Sequence, residues 1–379
     1  MIEEAVRKNI ENYIEYLLKN SSAEEPVWNI EKIRLGTPNK WNYIDGCMVT
    51  AVLALYEITG EERYFEFARD FVDYFVREDG TIDTYDPEEF NLDNVNTARN
   101  LFYIYDKTKN EKYRRAIETV RGQLERMPRT KEGNFWHKNI YPYQVWLDGL
   151  YMAQPFYMQY ESRFNDLKGC QDSINQFKNV ERLMKDPVTG LYYHGYDESR
   201  QMYWADSATG CSRNFWLRAM GWFAVALVET ASVIDESLYD EYRYLQRMLE
   251  NLVKALVPYQ DESGMFWQLV DRGGEEGNYL ETSGTALLAY AILKGVRLGY
   301  IPDTYEEMGT RALEGIINKY LTIDENGVLT LGGICLVAGL GGEQHRDGST
   351  QYYYSEPVVE NEAKGVAPFV LAYTEILRR

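Results

Sequence analysis

Two short stretches decide the fold, and they are near copies: TGEERY at residues 59–64 and KTKNEKY at residues 107–113. Each is a polar turn between an apolar segment rich in small residues and an amphipathic segment with a charged stripe. A stripe of apolar residues at spacings of three and four predicts a surface helix, whereas apolar residues on most faces predict a buried one. The two stretches therefore predict a repeated unit in which an inner helix turns into an outer helix.

The same alternation continues along the whole chain. The pattern predicts six inner helices over residues 44–59, 95–107, 148–159, 215–233, 281–296 and 364–377. It predicts six outer helices over residues 5–19, 61–75, 110–126, 174–184, 238–257 and 305–320. Because each unit buries its apolar face against its neighbours, twelve alternating helices imply a closed ring. We predict an all-α fold, an (α/α)6 barrel, formed as one domain over residues 1–379 because no Pro-, Gly- and Ser-rich linker divides the chain.

Long connections are expected to gather at one rim of this barrel. They span residues 80–94, 127–147, 186–214, 261–280 and 327–363. Long loops on a rigid scaffold usually carry binding and catalytic residues. The last one contains GLGGEQHRDGS at residues 339–349, which we predict to be a rim loop that closes over a ligand. No Gly-Lys-Ser/Thr sequence ends it, so it is not a phosphate-binding loop.

Composition excludes several classes of protein. The net charge of −19 and the lack of a Lys/Arg cluster argue against nucleic acid as a partner. The 32 Tyr, 14 Phe and 8 Trp residues have apolar faces and polar edges that suit a carbohydrate cleft, although most must pack in the core. Four scattered cysteines are predicted to be buried, reduced thiols. With only three separated histidines and no C-x-x-C pair, we expect no metal and no cofactor.

The first residues lead directly into a charged amphipathic pattern. An apolar leader does not precede it, and no long uncharged span follows later in the chain. We therefore expect a cytoplasmic protein with no membrane partner. The sequence leaves the oligomeric state open.

Asp148 is the first candidate functional residue. It lies in WLDGLYMA, residues 146–153, beside a large aromatic side chain where an apolar helix opens. One interpretation is a catalytic acid, and the other is an N-cap residue, because Asp is among the favoured N-cap residues. Similar helix openings with aromatic and polar residues recur along the chain, and this recurrence favours the first interpretation.

Further candidates lie in or beside the same predicted loops. Asp93 lies in FNLDNVN at residues 90–96, and His137 and His194 both flank aromatic runs. Each histidine is either functional or an ordinary packed residue. Arg218 and Trp222 are four residues apart and share a helix face. A cation beside an indole suits a sugar carboxylate, and an arginine packed along a helix explains the spacing equally well.

Four strings carry a resemblance to a known family. They are WLDGLYMA at 146–153, RAMGW at 218–222, ETSGTA at 281–286 and NEAKGVAPF at 361–369. In this order they resemble the unsaturated rhamnogalacturonyl hydrolases of glycoside hydrolase family 105, and the likeness covers nearly the whole chain. It extends to the unsaturated glucuronyl hydrolases of family 88, which share the barrel and the chemistry.

The resemblance implies release of an unsaturated uronic acid, most often galacturonyl, from the non-reducing end of fragments made by polysaccharide lyases. Rhamnose is the typical next sugar. In this family a carboxylic acid protonates C4 of the C4=C5 double bond, and its carboxylate then activates water for attack at C5. The hemiketal that forms collapses and expels the neighbouring sugar. The usual pair of carboxylates around the anomeric carbon is therefore not required.

By motif match Asp148 takes the acid/base role. The positive end of a helix dipole favours a carboxylate there, so a helper is needed to keep a proton on this group. The resemblance implies that Asp93 is this helper. The negative charge of Asp93 would disfavour a second charge on Asp148 and so keep one proton on the two carboxyl groups, while Trp146 reduces the hydration of Asp148. The resemblance also implies substrate-binding residues, which are Trp41, His137, Lys138, Trp146, His194, Trp216, Arg218 and Trp222. Among them, Trp41 is expected to stack on the sugar and Arg218 to pair with the substrate carboxylate.

Three alternatives stay open. A family 88 type enzyme would act on unsaturated glucuronyl disaccharides and differ in the pocket for the second sugar. A sugar epimerase on the same barrel would use a pair of histidines, such as His194 with His137 or His345. A carbohydrate-binding protein without activity would also explain the aromatic residues.

Overall fold

Fifteen α-helices make up most of the protein in a computed structural model, which describes residues 3–323 and 328–379. In chain order the helices are α1 (Glu4–Lys19), α2 (Ile30–Leu35), α3 (Tyr43–Thr59), α4 (Glu62–Asp73), α5 (Asp93–Asn96), α6 (Arg99–Thr108), α7 (Glu111–Arg126), α8 (Leu147–Phe164), α9 (Cys170–Met184), α10 (Leu217–Val233), α11 (Tyr239–Leu256), α12 (Thr282–Arg297), α13 (Glu306–Tyr320), α14 (Thr350–Ser355) and α15 (Ala363–Leu377). The predicted connection 327–363 begins at Gly327, which lies outside the described residues.

Three short antiparallel pairs of strands join the loops. They are β1 (Gln144–Trp146) with β2 (Gly195–Asp197), β3 (Leu321–Ile323) with β4 (Leu329–Leu331), and β5 (Ile334–Cys335) with β6 (Val358–Val359). In the first pair Trp146 lies opposite Gly195. This register places the start of α8 beside the residue before β2, which is His194. The strands are accessories of a helical fold, and they set the positions of loops at the rim.

The inner helices form a closed ring. Helix α8 packs on α10, α10 on α12, α12 on α15, and α15 on α3, while α5 contacts both α3 and α8 and completes the circle. Outer helices α4, α7, α9, α11 and α13 each pack on the inner helix that precedes them in the chain. Helix α1 is joined to α15 by a hydrogen bond from the Tyr373 hydroxyl to Glu11. The predicted (α/α)6 barrel is confirmed.

One predicted inner helix is broken. The pattern over residues 95–107 predicted one helix, whereas the structure has α5 and α6 with a turn at residues 97–98. Backbone N–H groups here bond to the carbonyl three residues earlier, from Ala98 to Val95 and from Asn100 to Thr97, which tightens the chain. Thr97 lies so close to α3 that a Cβ on Gly46 would be 2.2 Å from its hydroxyl oxygen. This close approach accounts for the break, which sets α5 at the rim with Asp93 as its first residue.

The two turns that predicted the repeat have the same conformation. Gly60 and Lys109 both follow an inner helix with left-handed backbone angles, at φ of 68° and 54°. Before them, Thr59 and Thr108 each donate a hydroxyl hydrogen bond to the carbonyl four residues earlier. Each hydroxyl also accepts the backbone N–H two residues later. The same turn therefore joins an inner to an outer helix at both positions.

A buried ionic cluster ties three inner helices together. Glu229 of α10 accepts hydrogen bonds from Arg99 of α6, Lys294 of α12 and the Tyr290 hydroxyl of α12. Burial alone would raise the pKa of Glu229, but Lys294 and Arg99 outweigh it and lower the pKa to about 2. Glu229 is therefore an anion inside the barrel, and its cations hold the ring together electrostatically.

Other sequence-based predictions concern general properties. All four cysteines are buried and unpaired, as predicted. Among residues 3–323 and 328–379, every helix is too short or too polar to span a bilayer. In the same residues, His, Cys, Asp and Glu side chains do not gather in groups of three or more that would hold a metal ion.

Candidate active site

A cavity of about 70 Å³ opens at the rim where the long loops meet. Its walls are formed by Tyr43, Asp93, His137, Lys138, Tyr141, Trp146, Asp148, Met152, Val337, Ala338, Gly339 and Arg346. Five of the residues singled out in the sequence are in this list, namely Asp93, His137, Lys138, Trp146 and Asp148. Ligand pockets usually exceed about 300 Å³, so this cavity encloses only part of a disaccharide unless the loops open.

Backbone pairing between loops brings the two aspartates to this cavity. Leu92 donates a backbone hydrogen bond to His137, and Asn139 donates one to Phe90, so the loops before Asp93 and around Lys138 run side by side. The backbone N–H of Leu147 donates to the carbonyl of His194 in the same way. Residues distant in sequence therefore face each other because of short bridges between loops.

Asp148 is the second residue of α8, and it does not cap the helix. The N-cap position belongs to Trp146, whose side chain makes no capping hydrogen bond. The Oδ2 atom of Asp148 is buried without a hydrogen-bond partner among the described residues, and the Nε2 atom of His194 lies 3.4 Å from it. Buried polar atoms in native proteins almost always have a partner. An unpartnered carboxylate oxygen in a cavity indicates a group kept free for a ligand.

Asp93 is the charged carboxylate of the site. Its Oδ2 atom lies 2.6 Å from Nζ of Lys138, and its Oδ1 atom lies 3.4 Å from Nε2 of His137. Burial alone would raise the pKa of Asp93, but Lys138 and His137 outweigh it and lower the pKa below its ordinary value. We expected the two aspartates to share a proton through mutual repulsion. The structure instead pairs Asp93 with Lys138, and this cation reduces the field of Asp93 at Asp148.

His137 is a neutral residue held by stacking. Burial lowers its pKa to about 4, against the opposing effect of Asp93. Its ring stacks on Trp146 with 4.4 Å between the centroids, and Tyr141 stacks on Trp146 at 5.0 Å. Gly149 packs closely against this ring, because a Cβ there would lie 3.0 Å from Nδ1 of His137. The stack fixes the wall of the cavity beside Asp148.

Four predicted binding residues lie outside the lining of this cavity, namely Trp41, His194, Trp216 and Trp222. Nε1 of Trp41 donates to the carbonyl of Asn94, next to Asp93. The ring of Trp216 packs on His194 with 4.6 Å between centroids, and Trp222 stacks on Tyr151. All are buried.

Arg218 also lies behind the cavity wall. It is 1% exposed, and its guanidinium donates to Ser283 and to the backbone carbonyls of Cys335 and Leu336. These carbonyls precede Val337, which lines the cavity. The expected pairing of Arg218 with a substrate carboxylate does not fit this position, because the side chain is buried outside the cavity lining and both of its Nη atoms donate to the protein. Arg218 supports the loop from behind.

The arginine that lines the cavity is Arg346, which the sequence analysis did not single out. Its Nε atom donates to the carbonyl of Gly341, and Nη2 donates to the hydroxyl of Tyr141. Within the described chain it forms no ion pair with a carboxylate. Gly339 lets this guanidinium approach, because a Cβ there would lie 2.5 Å from Nη1. The only signal in the sequence was its place in the predicted rim loop.

An outer groove of about 530 Å³ adjoins the cavity. It is lined by Ile140, Tyr141, Gly342, Glu343, Gln344 and Arg346. Tyr141 and Arg346 line both spaces. A ligand that fills the cavity can therefore extend past these two residues into the groove.

Comparison with known proteins agrees with this fold. The sequence pattern of Glycosyl Hydrolase Family 88 matches residues 6–379. A glycoside hydrolase of family 105 from C. acetobutylicum ATCC 824 has a structure that superposes with a TM-score of 0.89 at 42% identity, covering 97% of this chain and 98% of that one. Unsaturated glucuronyl hydrolase from Bacillus sp. GL1 shares the fold, with a TM-score of 0.64 at 14% identity over 97% of this chain and 94% of that one.

Two curated relatives are also similar. Protein Atu3128 of Agrobacterium fabrum is 40% identical over 233 residues, which are 60% of this chain and 98% of that protein. Unsaturated rhamnogalacturonyl hydrolase YesR of Bacillus subtilis is 28% identical over 264 residues, which are 68% of this chain and 72% of that protein. The family match over nearly the whole chain shows that this helical barrel is a glycoside hydrolase. The chain belongs to glycosyl hydrolase family 88 and is closely similar to a family 105 enzyme.

Proposed function

We propose that the protein releases an unsaturated uronic acid, specifically unsaturated galacturonic acid, from the non-reducing end of rhamnogalacturonan-lyase products. The reaction is hydration of the C4=C5 double bond. Similarity to the family 105 structure and to YesR supports the substrate class. The observation that carries the proposal is the buried, unpartnered Oδ2 of Asp148 in the rim cavity.

Asp148 is proposed to act first as an acid and then as a base. Its proton adds to C4, and the resulting carboxylate takes a proton from water as the water oxygen bonds to C5. Opening of the C5 hemiketal breaks the bond between C5 and the ring oxygen and leaves a hemiacetal at C1. Collapse of this hemiacetal breaks the C1–O bond to the second sugar, which leaves with its hydroxyl group. The proton that Asp148 takes from water restores its acid form, so one carboxyl group is sufficient for a full cycle.

Asp93 and Lys138 are proposed to bind substrate hydroxyl groups. Asp93 is anionic and accepts hydrogen bonds, whereas Lys138 donates them. His137 is neutral at pH 7, since its pKa is about 4, and offers a further polar contact. Trp146, whose ring stacks with His137 and Tyr141, contributes an apolar part of the cavity lining.

Arg346 is proposed to bind the uronate carboxylate, the role first expected of Arg218. It lines the cavity, and its guanidinium has no carboxylate partner within the described chain. A guanidinium binds a carboxylate through paired N–H donors. The overall charge of −19 does not prevent this, because the nearest charges dominate in a cleft that water screens poorly.

The outer groove is proposed to hold the second sugar. Glu343 places a carboxylate in its wall, which disfavours an anionic sugar and favours a neutral one such as rhamnose. The same repulsion would act on a sulfated second sugar, so it argues against a family 88 type substrate that carries sulfate there. For the epimerase alternative, the pair of His194 with His345 is disfavoured, since His345 is exposed on the rim and faces Tyr203. The pair of His194 with His137 is tested by the product analysis below.

The test is a time course of the ultraviolet absorbance of the double bond. Unsaturated galacturonyl-rhamnose and an unsulfated unsaturated chondroitin disaccharide are offered separately to the wild type and to Asp148→Asn. We expect loss of signal with the first substrate and at least about a thousandfold slower loss in the variant, as for removal of an essential acid/base group.

Other outcomes would redirect the assignment. Turnover of the chondroitin disaccharide alone would move the substrate to the glucuronyl class. A stable double bond with a changed sugar stereochemistry would favour an epimerase, and binding without turnover would favour a binding protein. An Asp148→Asn variant that is as active as the wild type would remove Asp148 from the mechanism.

A further inference from the structure

We propose that Tyr353 is a positioning residue that fixes the tautomer of His194 and thereby aims an N–H group at Asp148. Tyr353 lies in α14, far in sequence from both residues. The inference rests on the proposed function, because its consequence for turnover needs Asp148 as the acid/base group. The tautomer itself can be measured without substrate.

The contact between Tyr353 and His194 is direct and fully buried. The hydroxyl oxygen of Tyr353 lies 2.7 Å from Nδ1 of His194, and both residues have no exposed surface. Among the described residues, the hydroxyl has no other hydrogen-bond partner. A buried O–H group is rarely left without an acceptor. Tyr353 therefore donates its proton to Nδ1.

This donation decides where the imidazole carries its own proton. A neutral imidazole has one N–H group and one acceptor nitrogen. Since Nδ1 accepts from Tyr353, the proton of neutral His194 is on Nε2. Burial raises the pKa of the Tyr353 hydroxyl well above its ordinary value, so the hydroxyl keeps its proton.

The protonated Nε2 faces the catalytic carboxyl group. It lies 3.4 Å from Oδ2 of Asp148, and neither atom has a hydrogen-bond partner among the described residues. This distance is slightly longer than a hydrogen bond, and catalytic hydrogen bonds often tighten only with substrate bound. The N–H group is placed to hold the carboxylate that forms once the proton of Asp148 has moved to C4.

Neighbouring rings prevent His194 from turning away. Its ring packs against Trp216 with 4.6 Å between centroids, and the edge of Trp146 meets it at 5.5 Å. Three titratable groups face His194, namely Asp148 from α8, Tyr353 from α14 and His137 from the loop before β1. With the ring fixed by packing, the remaining variable is the tautomer, which the Tyr353 hydroxyl controls.

The experiment compares Tyr353→Phe with a matched control, Tyr192→Phe. Tyr192 is also buried, but its hydroxyl has no hydrogen-bond partner in the described chain. Nitrogen-15 NMR of the imidazole rings is practical because the chain has three histidines. We expect wild type and Tyr192→Phe to show His194 protonated on Nε2 only, and Tyr353→Phe to show a mixture of tautomers.

Turnover should follow the tautomer. We expect kcat of Tyr353→Phe to fall about tenfold with KM little changed, as for loss of one hydrogen bond that matters in the transition state. In a His194→Asn background, Tyr353→Phe should have no further effect on kcat, because the tyrosine acts through the histidine. A merely structural role would instead lower kcat in both backgrounds.

Two results would overturn the proposal. One is a wild-type His194 protonated on Nδ1, which refutes it even if no variant folds. The other is an unchanged tautomer and kcat in Tyr353→Phe. A fully active Asp148→Asn enzyme would be a failure of the proposed function instead, since the NMR result does not depend on it.

Discussion

Replacing Lys138 with methionine removes the cation that compensates Asp93. In the wild type, Nζ of Lys138 lies 2.6 Å from the Asp93 carboxylate, whose side chain is 15% exposed. Methionine keeps the length and apolar stem of lysine but leaves a nearly buried carboxylate with only a neutral histidine beside it. We expect both lower stability and lower activity, because Lys138 also lines the cavity.

The stability loss follows from the burial of the pair. Removing one partner of a buried ion pair costs about 3–5 kcal/mol, and the open cavity favours the lower end of this range, about 3 kcal/mol. For a chain of 379 residues the unfolding entropy is roughly 0.8 kcal/mol/K, so the melting temperature should fall by about 4 °C at pH 7.

The loss should depend on pH in a defined direction. The pKa of Asp93 is lowered in the wild type, so its contribution to stability is present above the unfolded pKa of about 3.9 and disappears as pH falls through the folded pKa. In Lys138→Met the lowering by Lys138 is gone and burial raises the pKa. The difference in melting temperature should therefore be largest near pH 7 and shrink towards pH 4.

The measurement is thermal unfolding of both proteins between pH 4 and pH 8, with the ultraviolet assay run on the same samples. Lys131→Met, which changes an exposed lysine in the same loop, is the control and should melt like the wild type. A variant that is as stable as the wild type at pH 7, or a difference that does not vary with pH, would refute the assignment of Asp93 as a charge stabilised by Lys138.

Three further predictions concern single groups. His137 should remain neutral from pH 7 to pH 5, because burial lowers its pKa to about 4, and NMR titration of its ring would contradict this if it showed protonation near pH 6.5. Arg346→Leu should lower kcat/KM by roughly 10- to 100-fold, the effect of losing a hydrogen bond to a charged group, mainly through KM. Steady-state kinetics with an unchanged KM would exclude Arg346 as the carboxylate ligand. Glu229→Gln should lower the free energy of unfolding by about 3–5 kcal/mol at pH 7, with kcat unchanged. The pKa of Glu229 is about 2 in the folded protein and about 4.3 in the unfolded chain. Denaturant unfolding should therefore show the full loss of stability above about pH 4.3, and the loss should become smaller as the pH falls towards 2. Equal stability of the two proteins at pH 7 would mean that the buried cluster contributes nothing.

The barrel could be predicted from the sequence because its signals are local. Turns such as those at Thr59 and Thr108 and the alternation of apolar and amphipathic segments are properties of neighbouring residues. The break before α6 could not be predicted, since it depends on the contact between Thr97 and Gly46, about fifty residues apart in the chain. Local patterns give the elements, whereas packing across the ring decides where they bend.

The site was predicted only in part, because the sequence indicates which residues lie in rim loops but not how deeply each side chain is buried. Asp93, Lys138 and Asp148 lie in one cavity, as their places in rim loops suggested. The four-residue spacing of Arg218 and Trp222 indicated a shared helix face but not its depth, and that face is buried. The family resemblance did not distinguish residues that line the cavity from residues buried behind it, because several of the sequence strings that carry the resemblance pack helices together in this structure. Gly221 and Gly284, for example, allow α10 and α12 to approach each other closely, since a Cβ on either would meet the other helix.

The arrangement of connections has a consequence for how the protein can be altered. Short turns, such as those at Gly60 and Lys109, lead from inner to outer helices at one end of the barrel, and the long loops return at the other end, where the cavity lies. Substitutions in the short turns change the stability of single units without touching a residue of the cavity. Loop exchange at the rim changes specificity without removing a helix from the ring. The turn end of the scaffold can therefore be altered for thermal tolerance while the cavity at the opposite end is left unchanged.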